Sequence, residues 1–315
     1  MVHRLRTERA AGIGFNHPMS KTPEAGAEHF DGVTIVTDST PYLPRALIEQ
    51  WRISEVSLYV GWDGELTAES AYTDLDAFYV RLRDTPRLPT TSQPSAGDFI
   101  ARYEPVVRAG GDVLSIHIAG GLSGTCESAR EAARLMAKAG HPGRIEVLDA
   151  ETGAGGLGCL VLVAAEAARQ GATLAQTMAA VAQARASLDI WFCLDTLEYL
   201  RRGGRIGAAQ AVLGTALKLK PILTFGTEIA PAGRVRTHRR AVERMVEYLR
   251  ELQQRGATDW IVQHAQAVGD AEHLVAEGSK IFGSEPLFCT QVGPVLGAHL
   301  GAGMLVGGMT RPRLD

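Results

Sequence analysis

What most limits the folds open to this chain is a repeated alternation of short β-branched runs with helical segments, starting abruptly at Val33. Val33-Thr34-Ile35-Val36-Thr37 is β-branched throughout and runs into Asp38-Ser39-Thr40-Pro41, a turn signal. A helix is expected over Pro44–Trp51, further strands over Asp112–Ile118 and Arg144–Asp149, and helices over Ser95–Ala109 and about Ser123–Ala139. Strand and helix in alternation imply an α/β fold, with a parallel sheet built from right-handed βαβ units.

The second half repeats the mixture. Gly153, Gly155, Gly156 and Gly158 lead into a nearly all-apolar helix, Leu157–Arg169, stopped by Gly171. Thr173 with Gln176 three residues on is a capping box that opens another helix. Strands are expected at Ile190–Leu194, Pro221–Phe225, Trp260–His264, Leu287–Val292 and Met304–Met309, with a hairpin-like stretch at Thr224–Arg236. At about 150 residues per domain, 315 residues suggest two domains. The expected division is a mobile extension at 1–31, an N-terminal α/β domain at 32–170 and a second α/β domain at 171–315, with the crossing between 150 and 188.

Composition removes several classes of function. Hydrophobic residues make up 45% of the chain, enough for a sizeable core. The 32 Lys and Arg nearly balance 35 Asp and Glu, for a net charge of −3, which argues against nucleic acid as a partner. Cys126, Cys159, Cys193 and Cys289 are scattered and form no metal-ligand spacing, so no metal, no disulfide framework and a reducing cytoplasm are expected. The charged start MVHRLRTERA lacks the apolar segment of a signal peptide. The longest apolar stretch, Cys159–Ala165, is too short to span a bilayer.

Three segments share one chemical design. Asp38-Ser39-Thr40 ends the first strand, Thr90-Thr91-Ser92-Gln93-Pro94-Ser95 precedes a helix with Ser95 and Asp98 in capping-box spacing, and Ala119-Gly120-Gly121-Leu122-Ser123-Gly124-Thr125 joins a strand to a helix. Each brings hydroxyls and free backbone N–H groups to the edge where open α/β sheets take ligands, and helix N-termini favour anions. Taken singly they read as turns and caps; three converging loops point to an anion site. Downstream, Leu200-Arg201-Arg202-Gly203-Gly204-Arg205-Ile206 reads as a helix C-terminus, Lys218 and Lys220 flank an apolar strand start, and His299 sits in a glycine-rich loop at 293–303.

TIVTDST (34–40), TSQPSAGDF (91–99), GLSGT (121–125), EYLRRGGRIG (198–207), LKLKPIL (217–223), VRT (235–237) and GPVLGAHLGAG (293–303) occur in this order over some 270 residues. Together they resemble the DegV family of bacterial fatty-acid-binding proteins. The resemblance implies a two-domain α/β fold with a long-chain fatty acid held between the domains and no cofactor. It implies an acyl-carrying, non-enzymatic subunit that presents the carboxylate to a fatty-acid kinase subunit, which makes the acyl phosphate used in phospholipid synthesis, with room for transient contact with a membrane surface. Carried over by position, the carboxylate ligands fall on Thr91, Ser123 and His299, supported by Asp38, Ser39, Ser92, Gly121, Gly124 and Arg205. Arg236 of VRT matches a position tied to phosphoryl transfer. Two departures stand out: Ala119-Gly120 replaces the usual Ser-Ser before GLSGT, and His299-Leu300-Gly301-Ala302-Gly303 replaces HTGPG.

Two other classes are weighed against this. One is a hydrolase with Ser39 or Ser123 as nucleophile, though neither has a sequence context that supplies a base. The other is a nucleotide-binding regulator, on the GxGxxG form of Gly153–Gly158, which lacks the acidic residue such a fingerprint needs.

Overall fold

A computed structural model of the chain describes residues 32–212 and 219–312. The extension expected at 1–31 lies outside these residues, and so does Lys218. Its elements are, in chain order, β1 (Val33–Asp38), α1 (Arg45–Trp51), β2 (Ser54–Val56), β3 (Tyr59–Trp62), β4 (Glu65–Ala68), α2 (Leu75–Asp84), β5 (Thr90–Ser92), α3 (Ala96–Arg108), β6 (Asp112–His117), α4 (Thr125–Lys138) and β7 (Ile145–Asp149). They continue with α5 (Gly155–Arg169), α6 (Leu174–Ser187), β8 (Asp189–Leu194), α7 (Glu198–Arg202), β9 (Lys220–Phe225), β10 (Ile229–Val235), α8 (His238–Gln254), β11 (Asp259–Ala265), α9 (Val268–Phe282), β12 (Cys289–Gln291), α10 (Pro294–Leu300) and β13 (Gly303–Met309).

The first sheet has the order β2-β1-β6-β7 with every pairing parallel. The second, β10-β9-β8-β13-β11-β12, is antiparallel except for the β11–β12 pair. Alternation along the strands sorts the side chains into layers. In β1, Val36 packs with Phe99 and Tyr103 of α3 and Ala129 of α4, while its neighbour Ile35 faces the opposite way into the main core. In β11, Trp260 and Val262 join Met245 and Leu249 of α8, while Ile261 between them enters the same main core as Ile35.

Between the two sheets lies α5, which touches β1, β6, β11 and β13, with α6 against it. A helix with apolar residues all round is stable only when covered on all sides, and every residue from Gly155 to Ala165 is buried. Its glycines serve that packing. A Cβ on Gly155 would come within 2.2 Å of Ile261 Cδ1, and one on Gly156 within 2.5 Å of Thr152 Oγ1. The two capping boxes form as the spacing predicts: Ser95 Oγ accepts from Asp98 N at 3.2 Å, and Thr173 Oγ1 accepts from Gln176 N at 3.4 Å.

A third, small antiparallel sheet, β4-β3-β5, lies at residues 59–92, where no strand is expected from the pattern. Its strands are three or four residues long, too short for a period of two to register. It puts Thr91 on a strand opposite Val60. The glycine-rich loop expected around His299 is instead the helix α10, with Pro294 in its first turn.

Candidate functional site

The C-terminal ends of β1, β6 and β7 open onto one edge of the parallel sheet, and the loop from β6 to α4 shapes it. Ala119 O accepts from Leu122 N at 2.9 Å and Ser123 N at 3.1 Å, and Gly120 N donates to Asp149 Oδ2 at 3.0 Å. Close neighbours crowd the loop's glycines. A Cβ on Gly121 would lie 1.9 Å from Thr227 O, one on Gly124 2.6 Å from Gln93 Nε2, and one on Gly120 2.8 Å from Asp149 Oδ2. The Ala119-Gly120 pair therefore suits a loop drawn tight onto Asp149. Ser123 Oγ lies 2.8 Å from Thr125 Oγ1 and accepts from Thr125 N at 3.4 Å, at the start of α4.

Opposite this loop, α10 brings His299 to β5. Thr91 Oγ1 and His299 Nε2 are 2.8 Å apart, from positions 208 residues apart in the chain. His299 Nδ1 is buried without a partner, beside Gly203, where a Cβ would come within 2.3 Å of it. Burial, reinforced by the nearby positive charge of Arg205, pushes the imidazole down to about 4, so it is neutral at pH 7. With its proton on Nε2, the imidazole donates to Thr91 Oγ1 and leaves the threonine hydrogen free to donate onward.

Thr91, Ser92, Ser123, Arg205 and His299 all line one pocket, open to solvent on one side. Leu58, Ile118, Leu122, Phe225, Ile229 and Leu300 are among its apolar walls. Arg205 is held at the rim, donating from Nε to Leu122 O at 3.2 Å and from Nη1 to Gly203 O at 3.0 Å. The arrangement is an apolar slot with hydroxyl donors, one neutral imidazole and one cation at its polar end.

Other residues expected at the site do not line this cavity. Asp38 is fully buried: Oδ1 accepts from Thr40 N and Oγ1 at 2.9 and 2.5 Å, while Oδ2 meets His117 Nδ1 at 3.2 Å and Ile118 N at 3.0 Å. Burial opposes its ionisation, but the bonds from His117, Thr40 and Ile118 outweigh it and hold the carboxyl below its usual value. One oxygen closes the turn at Thr40 and the other ties β1 to the end of β6. Ser39 donates to Glu69 Oε2 and accepts from Leu58 N at 3.1 Å. Gly121 and Gly124 act through close packing.

Two readings of the sequence meet different chemistry here. Among the described residues neither Ser39 nor Ser123 is hydrogen-bonded to a histidine. A Ser–His–Asp chain does exist, Ser115 Oγ to His117 Nε2 at 2.6 Å and then to Asp38, with Tyr103 donating to Ser115 at 2.7 Å. All three of its members are 0% exposed, which leaves a nucleophile out of reach of substrate. The glycines of 153–158 are buried, and Gly155 N, at the start of α5, already donates to Gln263 Oε1 at 2.7 Å, so no phosphate can seat there. Among the described residues no cluster of His, Cys, Asp or Glu could hold a metal ion, and no helix is long and apolar enough to cross a membrane.

Arg236 follows β10, is exposed, and lies outside the cavity lining. The basic residues that follow it at the start of α8 have acidic partners. Arg239 pairs with Glu243 at 2.9 Å, Arg240 with Glu247 at 2.8 Å, and His238 lies 2.9 Å from Asp270. The two arginine pairs form because α8 repeats its charges at helical spacing, whereas Asp270 reaches His238 from α9.

Two residues outside all the motifs quoted above support the site. Glu69 is buried and Tyr42 half-buried, and together they hold the first turn of α10: Glu69 Oε1 accepts from Val295 N at 2.7 Å and from Tyr42 Oη at 2.9 Å, and Tyr42 Oη accepts from Leu296 N at 3.0 Å. Burial pushes the Glu69 carboxyl up to about 7 despite the donors from Ser39, Val295 and Tyr42.

Fold and pocket together define a mixed α/β protein with an apolar-walled pocket that has one polar end. A family profile described as an uncharacterised protein of the DegV family matches residues 32–308. Protein DegV of Bacillus subtilis is 34% identical over 278 residues, covering 87% of this chain and 97% of that protein. The chain belongs to the DegV family. Among solved structures, it is similar to a DegV family protein from Thermus thermophilus described for its fatty-acid binding (TM-score 0.78, 32% identity, 89% of this chain and 100% of the other). It is likewise similar to the crystal structure of DegV of Bacillus subtilis, described as a fatty acid binding protein (TM-score 0.80, 31% identity, 89% and 99%).

Proposed function

We propose that this protein binds one long-chain fatty acid, its carboxylate at Thr91, Ser123 and His299 and its tail among the apolar walls, and presents the carboxylate to a separate kinase subunit. The observation that carries this is one shared pocket in which two hydroxyls and a neutral imidazole meet an apolar slot. A carboxylate taken out of bulk water needs strong donors. Each methylene withdrawn from water contributes about 0.8 kcal/mol, so a long tail supplies most of the affinity. Arg205 adds a positive charge at the rim.

Delivery to a separate kinase subunit rests on what the DegV resemblance implies. In this reading the chain works in the cytoplasm as a carrier, and Arg236, exposed and with no ion pair among the described residues, stabilises the phosphoryl group as the kinase transfers it. Native mass spectrometry of protein purified from a bacterial host tests binding: one fatty-acid mass per chain supports it, and a nucleotide or no ligand refutes it. Incubation with ATP and fatty acid tests delivery. Acyl phosphate should form with the kinase subunit and not with this chain alone.

A further inference from the structure

We infer that Glu69, with Tyr42 as its partner, is the positioning residue for His299: it fixes α10 by its first turn and thereby sets the imidazole against Thr91. The inference deepens the fatty-acid reading and rests on it for its consequence in binding.

The chain of contacts is continuous. The α10 helix carries four residues of the cavity wall, Val295, Leu296, His299 and Leu300. Its first-turn amides have no cap of their own, since Gly293 offers no side chain. Glu69 takes the Val295 amide and Tyr42 takes the Leu296 amide, while Tyr42 donates its own hydrogen to Glu69. Ser39 donates to the second carboxylate oxygen, and its own oxygen accepts from the amide of Leu58, another wall residue. One buried carboxylate thus ties the loop after β1, the start of β3's neighbourhood and α10 around the cavity.

The surroundings are shaped to this contact. Glu69 is 6% exposed, and burying a carboxylate is costly unless its oxygens are satisfied, as these are by three donors. Tyr42 has a left-handed backbone, φ +50°, an uncommon conformation for a residue with a side chain. Gly293 makes the approach feasible. A Cβ there would lie 2.4 Å from the Tyr42 ring and 3.0 Å from Glu69 Oε1. Glu69 does not line the cavity itself, so its effect on a ligand passes through the wall residues it holds, those of α10 and, on the other side, Leu58.

The test uses Glu69→Gln and Tyr42→Phe, each alone and combined with His299→Ala, in the full chain. Without lipid, the ¹⁵N resonances of the His299 imidazole, assigned by their loss in His299→Ala, should shift in both single variants. With cis-parinaric acid, a fluorescent fatty acid, Glu69→Gln should raise Kd about ten-fold. In the His299→Ala background the same change should add less than about two-fold. Equal factors in both backgrounds, or imidazole resonances unchanged in both single variants, would overturn the inference. Should Glu69→Gln fail to fold, Tyr42→Phe carries the cycle with the same criteria. A wild-type chain that binds no fatty acid would refute the proposed function alone, and the imidazole resonances would still decide whether Glu69 positions His299.

Discussion

Thr91→Val isolates the hydroxyl on which the head-group site turns. Valine keeps the shape and suits a strand, so the pairing of β5 with β3 at Val60 should persist. Two losses follow. Without lipid, His299 Nε2 loses its 2.8 Å partner while Nδ1 already has none, which leaves a half-buried imidazole with no hydrogen bond. That costs about 1–3 kcal/mol of stability, read as a fall in melting midpoint of roughly 2–4 °C per kcal/mol. With lipid, a donor to a charged carboxylate is lost, about 1.5–3 kcal/mol, or roughly 10- to 100-fold in Kd. Calorimetry of the lipid-free protein and titration with a fluorescent fatty acid measure the two separately. A lowered midpoint with wild-type Kd would show that Thr91 only supports His299, and would refute the assignment of Thr91 to the carboxylate.

Ser123→Ala should weaken fatty-acid binding by a similar factor and destabilise the lipid-free chain by about 1–3 kcal/mol, seen as a lowered midpoint, because it takes the partner from the buried hydroxyl of Thr125. His299 sits at about 4 in the folded chain against 6.5 unfolded, so its contribution to stability is complete above about pH 6.5 and is lost as pH falls toward 4, by about 3 kcal/mol. Denaturant unfolding of wild type and His299→Asn across this window should converge on acidification; parallel curves would contradict the neutral imidazole. Arg236→Ala should leave Kd nearly unchanged and slow acyl-phosphate formation with the kinase, whereas Arg239→Ala, which breaks only an exposed ion pair, should change stability by less than about 0.5 kcal/mol in the same unfolding assay.

The long elements were legible because their signals are strong. β1 announces itself as five consecutive β-branched residues, and α3 and α6 by capping boxes that form as spaced. Thr91, Ser123 and His299 could be named because each stands in a motif, and the structure brings them to one cavity. Other features depend on contacts that no local pattern records. Asp38 looks like a ligand at a sheet edge, yet His117, 79 residues on, closes it into the core. His299 reads as part of a loop because its seven-residue helix is capped from Tyr42 and Glu69, more than 220 residues away. Ser115, His117 and Asp38 form their chain only once β1 and β6 pair. The GAGGLG run shows the reverse: a phosphate-loop spacing whose glycines exist to let α5 lie against Ile261 and Thr152.

A crystal structure of the protein with a bound saturated fatty acid tests the central claim most directly. The account expects one carboxylate with its oxygens roughly 2.5–3.0 Å from Thr91 Oγ1 and Ser123 Oγ, beside His299, and its tail running along Ile118 and Phe225. A carboxylate seated elsewhere, with Thr91 and His299 still bonded only to each other, would contradict it.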